Sequence, residues 1–87
     1  EKIRIEIDKL DQELLSILSR RMQLIPKVAN IKKDNEIPRY QPQREKQIIE
    51  SKRKLAKDLG LNPDFVQDIF ERIIKDAHRI EEEILGR

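Results

Sequence analysis

Between Ile3 and Lys32, apolar residues recur at the spacing of one long amphipathic helix, and two cations stand in the apolar stripe. At about 100° per residue, with Arg21 at zero, Ile3, Ile7, Leu10, Leu14, Ile17, Leu18, Leu24, Ile25 and Val28 fall within roughly 60° of it, and so does Lys32. A solvated arginine or lysine belongs on the opposite face, because a charged side chain is almost never fully buried without a partner. The pattern predicts a helix from about Ile3 to Lys33, about 46 Å long, with two positive charges turned inward. Pro26 removes one backbone hydrogen bond from that helix and predicts a kink, and Asn35 is the expected left-handed terminator.

The segment from Glu36 to Gln43 carries Pro38 and Pro42 and reads as an extended loop. A second helix is predicted from Pro42 to about Leu59, with Ile48, Ile49, Leu55, Ala56 and Leu59 on one arc and Gly60 as its stop signal. Glu45 falls at the centre of that arc and Arg44 at its edge. Asn62-Pro63-Asp64 is a strong helix start, and the third helix is expected to run from Pro63 to about Leu85. Its stripe of Val66, Ile69, Phe70, Ile73, Ile74, Ala77, Ile80, Ile84 and Leu85 contains Glu81, another charge on an inward face.

A helix as long as the first does not fit a compact 87-residue globule, and it nearly equals the other two laid end to end. A lone copy would leave part of the stripe uncovered, and Leu15, Met22 and Ala29 add a second seam. With 41% charged residues, two glycines and three aromatics, the composition is that of a helical protein. The expectation is therefore a single all-α domain over residues 1–87, three helices per chain, forming an intertwined helical-bundle homodimer.

The 19 basic and 17 acidic residues are interspersed, so no basic block points to nucleic acid. Without cysteine there is no thiolate chemistry, and a single histidine cannot build a zinc site. No apolar run approaches the length of a membrane span and no signal peptide is visible, so a cytoplasmic location is expected.

Arg21, Lys32, Arg44, Glu45 and Glu81 all break the apolar pattern on inward faces. Three cations with two carboxylates suit a cavity for a small polyanion, since guanidinium groups match carboxylate or phosphate geometry. Each residue also has a plainer reading: Arg21 as a snorkelling rim residue, Glu45 and Glu81 as surface acids. His78 reads as an ordinary surface histidine. Recurrence on all three helices favours a shared cavity. Arg4 lies about 100° from Arg21 on the wheel and cannot share that face of the same helix, which leaves it open to reach the site of a partner chain.

The string Arg4-x6-Asp11-x9-Arg21-x6-Val28-x3-Lys32, followed by Ile37-Pro38-x3-Pro42-x-Arg44-Glu45, resembles the all-α class of chorismate mutases. Leu10-Asp11, Leu14-Leu15, Arg20-Arg21 and the segment from Ile69-Phe70 to Ile73-Ile74 match as well. The resemblance covers the whole chain and implies an intertwined dimer with two sites, each completed by Arg4 of the other chain. It implies that Arg4, Arg21, Lys32, Arg44, Glu45 and Glu81 are site residues. The implied reaction is the Claisen rearrangement of chorismate to prephenate, on the route to phenylalanine and tyrosine.

That reaction needs no nucleophile, cofactor or metal, and none is expected. Cations hold the two carboxylates of chorismate in its reactive conformer, and a donor at the ether oxygen stabilises the charge that develops as its bond to carbon breaks. Lys32 and Glu81 are the expected catalytic donors. A carboxylate cannot donate, so Glu81 would act in the protonated form that burial favours, and activity would fall as pH rises. Two departures accompany the resemblance. Gln41 stands where family members often carry an aspartate that caps the second helix and helps bind the ring hydroxyl, so Glu45 is left with that contact. Ala77 replaces a small hydroxyl residue. An isochorismate pyruvate lyase of the same fold is the nearest alternative, and a non-catalytic helical dimerisation module is the alternative from another class.

Overall fold

The computed structural model describes residues 1–87. It contains four helical segments, α1 (Lys2–Gln23), α2 (Ile25–Asp34), α3 (Pro42–Asp58) and α4 (Pro63–Leu85). The first two make one rod. Its interruption falls at Leu24, two residues before the proline at which the kink was expected. Pro26 has no N–H to offer the Met22 carbonyl, so the ladder loosens in the preceding turn. Leu24 itself keeps right-handed helical angles (φ −81°, ψ −20°). Its N–H reaches the Arg21 carbonyl at 3.1 Å, and its own carbonyl accepts from Val28 at 3.1 Å. The long helix of the sequence pattern is thus present as a rod with a one-residue interruption.

The rod ends one residue later than its composition suggests. Asn35 keeps a negative φ of −107°, and Glu36 takes the left-handed conformation at φ 55°. The closing bonds dictate this: Ile37 N–H donates to the Lys32 carbonyl at 2.8 Å and Glu36 N–H to the Lys33 carbonyl at 3.4 Å. That pattern needs its left-handed residue immediately after the cap, and Asn35 is the cap. Its side-chain amide instead donates to the Ile31 carbonyl at 2.8 Å.

Helix α3 starts at Pro42 as predicted, although Gln41 contributes no side-chain bond to its cap. It closes through Gly60, whose φ of 74° lets Gly60 N–H reach the Lys57 carbonyl and Leu61 N–H reach that of Ala56. Helix α4 opens on Asn62, whose Oδ1 accepts from the Asp64 N–H at 2.9 Å.

Helix α4 is the centre of the packing and lies against both α2 and α3. Ala29 of α2, Ala56 of α3 and Val66 of α4 are the buried apolar residues, two of them alanines that let the helices approach closely. Helix α1 projects from this body and buries none of its residues, with Leu10 at 62% and Leu14 at 57% exposure. The resulting shape is elongated, 51 × 24 × 14 Å. No helix is long and apolar enough to cross a membrane.

Candidate active site

Where α2, α3 and α4 converge they enclose a cavity of about 220 Å³. Arg21, Lys32, Gln41, Arg44, Glu45 and Glu81 all line it, so residues up to 60 positions apart in the sequence meet at one place. Ile25, Val28, Ile48 and Ile74 supply apolar walls, and Ala77 also lines the cavity. The volume lies below the ~300–1,000 Å³ of pockets for drug-sized ligands, which suits a smaller molecule.

Each helix delivers its charge by its own periodicity. The α1–α2 rod brings Arg21 and Lys32, which are 11 residues apart and so three turns apart on one face. The first turn of α3 carries Arg44 and Glu45, and the Gln41 carbonyl accepts from Glu45 N–H at 3.1 Å. The last turns of α4 bring Glu81, which is 4% exposed and is the one buried charged residue.

A buried carboxylate requires a partner, and Lys32 supplies it. Lys32 Nζ donates to Glu81 Oε1 at 3.0 Å and Oε2 at 3.1 Å, and to the Arg39 carbonyl at 2.9 Å. All three ammonium protons are therefore engaged and the head group is held in place. Arg21 presents the opposite case. Its Nη1 is buried without a hydrogen-bond partner. A buried cationic donor left unpaired is costly, and an acceptor arriving in the cavity would relieve it.

Two residues of this site were not singled out by the sequence reading. Arg39 lines the cavity from the loop between α2 and α3. His78, expected to be an ordinary surface histidine, lines it from α4 with its side chain only 20% exposed. It is 2.7 Å from Glu45 Oε2 through Nε2 and 2.9 Å from Arg39 Nη1 through Nδ1. Its spacing was the available signal: His78 lies three residues before Glu81, on the same side of α4. A single polar residue at the edge of an apolar stripe is more often solvent-facing, and periodicity alone cannot separate the two cases.

Four cations, Arg21, Lys32, Arg39 and Arg44, thus face two carboxylates, Glu45 and Glu81, leaving a formal surplus of two positive charges. Such a surplus around an apolar-walled cavity is complementary to a small dianion. Arg4 takes no part within one chain. Its side chain is 83% exposed and its Nε contacts Glu1 Oε2 at 3.4 Å. It is 17 residues, or about 26 Å along the rod, from Arg21. No group of three or more His, Asp or Glu side chains is placed to hold a metal ion. Outside the cavity, on the exposed face of α4, the Arg79 guanidinium beside Asp76 holds that carboxyl below its usual range.

Comparison with known proteins identifies the relatives of the chain. A family model described as chorismate mutase type II matches residues 3–82. The T-protein of Enterobacter agglomerans is 34% identical over 79 residues, covering 91% of this chain and 21% of that protein. The Haemophilus influenzae T-protein is 30% identical over 76 residues, covering 87% of this chain and 20% of that protein, so the chain spans about a fifth of the length of these relatives. A chorismate mutase of Methanocaldococcus jannaschii is 32% identical over 84 residues, 97% of this chain and 85% of that protein. A 4-amino-4-deoxychorismate mutase of Streptomyces venezuelae is 30% identical over 87 residues, 100% of this chain and 84% of that protein.

Proposed function

The chain belongs to the type II chorismate mutase family, and from that premise we propose that its cavity rearranges chorismate to prephenate. The observation that carries this reading is Arg21 Nη1, a buried cationic donor without an acceptor at a cavity with surplus positive charge. A carboxylate of the substrate provides that acceptor. Arg21 and Arg44 bind the dianion, and Glu45 accepts from the ring hydroxyl. Gln41, whose side chain makes no cap bond, is free to assist. Holding both carboxylates fixes the compact conformer in which the new carbon–carbon bond can form, so binding energy is converted into orientation.

As the ether bond breaks, negative charge grows on its oxygen, and Lys32 and Glu81 act there as donors. In the free chain Glu81 accepts from Lys32 with both oxygens, the arrangement of an ammonium with a carboxylate. To donate, Glu81 takes up a proton as the dianion enters and draws Lys32 toward itself. Glu81→Gln, whose amide donates at every pH, is expected to retain turnover and to flatten its pH profile. A pH profile unchanged by that substitution would reject the protonated role.

Two copies of the chain form the working unit. Three small buried apolar residues are a meagre core for 87 residues, and the bare α1 stripe supplies what a second copy would cover. In the intertwined dimer, Arg4 of each chain enters the cavity of the other and adds a further cation.

The direct test is loss of chorismate absorbance on addition of the protein, repeated with Arg21→Ala. The substitution is expected to lower kcat/KM by about 100-fold or more, with helicity and association preserved. Turnover that survives it, or association lost with it, would overturn this assignment of Arg21. A second reading, the same rearrangement of 4-amino-4-deoxychorismate, is favoured by the similarity to the Streptomyces venezuelae protein. Glu45 accepts from an amino group as it does from a hydroxyl, so assaying both molecules ranks the two readings.

A further inference from the structure

His78 is half-buried at the site and has no role in the rearrangement described above. Its two ring contacts point to one tautomer, with Glu81 Oε2 a further neighbour 3.8 Å from Nδ1. A guanidinium has donors only, so Arg39 Nη1, 2.9 Å away, requires an unprotonated Nδ1 that accepts. The proton of the neutral imidazole must then sit on Nε2, where it donates to Glu45 Oε2 at 2.7 Å. Arg39 is itself anchored, with Nε donating to the Arg87 backbone carbonyl at 2.8 Å and Nη2 lying 3.3 Å from Glu82 Oε1. The edge of the imidazole also meets the Tyr40 ring, with centroids 6.2 Å apart.

These residues stand at a boundary. Arg39, Glu45 and His78 line the cavity and also a separate groove of about 620 Å³ between α3 and α4. They form the partition between the two spaces. A glutamate in a partition could turn to either side, or share a proton with a ligand. With Oε2 engaged by the His78 N–H, Glu45 is held as an acceptor, and Oε1 remains for the ligand.

We infer that His78 is a positioning residue: anchored by Arg39, it locks Glu45 as a hydrogen-bond acceptor and restricts the ring substituent of the bound molecule to a donor, a hydroxyl or an amino group. The inference rests on the proposed substrate reading and adds a residue that selects within it. A substituent that only accepts, or none at all, leaves the carboxylate oxygen unpaired in a half-buried site.

Two measurements test this. His78 is the single histidine of the chain, so a long-range proton–nitrogen correlation spectrum of the imidazole contains one set of signals. The expected pattern at neutral pH is a neutral ring protonated on Nε2, and a ring protonated on Nδ1 or on both nitrogens overturns the lock. In kinetics, His78→Phe keeps a ring without nitrogens and is expected to raise KM for chorismate about tenfold, with kcat nearly unchanged. For the analogue lacking the ring hydroxyl the same substitution has no such effect. His78→Gln, whose amide can accept from Arg39 and donate to Glu45, is expected to recover most of the loss. If His78→Phe weakens both molecules equally, or leaves both unchanged, the selecting role is wrong. A wild-type protein that converts neither molecule refutes the substrate reading and the selection built on it, and the imidazole signal then decides the lock alone.

Discussion

The two halves of the first rod carry the same apolar stripe into different surroundings. In α2 the neighbouring seam lies against α4, where Ala29 is buried, and Lys32 of the stripe is held by Glu81 from across the packing interface, while Val28 stays exposed. In α1 the same stripe, from Ile3 through Leu14 to Ile17, is exposed, and no residue of that helix is buried. Periodicity states which side of a helix should be covered, and only a neighbour covers it. The difference also separates two cations of the rod. Lys32 acquires its partner within one chain, whereas Arg4 on the bare half finds only Glu1.

The largest effect is expected from mixing two defective chains. Arg4→Ala and Arg21→Ala should each abolish nearly all turnover. When the two are unfolded and refolded together, half of the dimers carry one intact site of two, so about a quarter of the wild-type rate should return. Absence of recovery would confine the site to single chains and leave the α1 stripe unexplained.

A smaller effect distinguishes the halves by stability. Val66→Ala removes buried methyl groups from α4 and should cost about 2 kcal/mol. Leu14→Ala is informative because its cost depends on what covers α1. A bare stripe predicts almost no change in urea unfolding, and a covered one predicts a loss of about 2–5 kcal/mol. The second outcome is expected, with dependence on protein concentration.

The smallest effect belongs to the exposed pair on α4. Asp76→Asn should leave the melting midpoint near neutral pH almost unaltered, because a fully solvated ion pair is heavily screened. The carboxyl titrates below its usual value when folded, so what the pair contributes is complete above the ordinary carboxylate range. It fades as pH falls through the lowered titration. A large midpoint change at neutral pH would contradict this ordering.

Much of the cavity was legible because charged residues were written into apolar stripes. Arg21, Lys32, Glu45 and Glu81 lie where their own helices direct them, and the cavity collects them. Arg39 was invisible by the same logic, since a loop residue between Pro38 and Tyr40 has no periodicity from which a direction can be read. His78 had the spacing but lacked a visible partner, because Glu45 precedes it by 33 residues and belongs to another helix. The terminator of α2 escaped for a related reason: propensity favours Asn35 for the left-handed position, and the hydrogen bonds that close the helix place it at Glu36.

The helices, their caps at Asn62 and Gly60, and the two cations in the long stripe follow from the order of residues alone. Those properties depend on spacing and on residues within a few positions of one another. Packing between helices sets the rest: α2 rather than α1 has a buried residue, Lys32 meets Glu81 from 49 residues away, and His78 turns toward Glu45. A helix fixes the direction of a side chain relative to its own axis. The distance to a partner on another helix is set by packing, and here the close approach at Ala29 and Ala56 brings the charges together around one cavity.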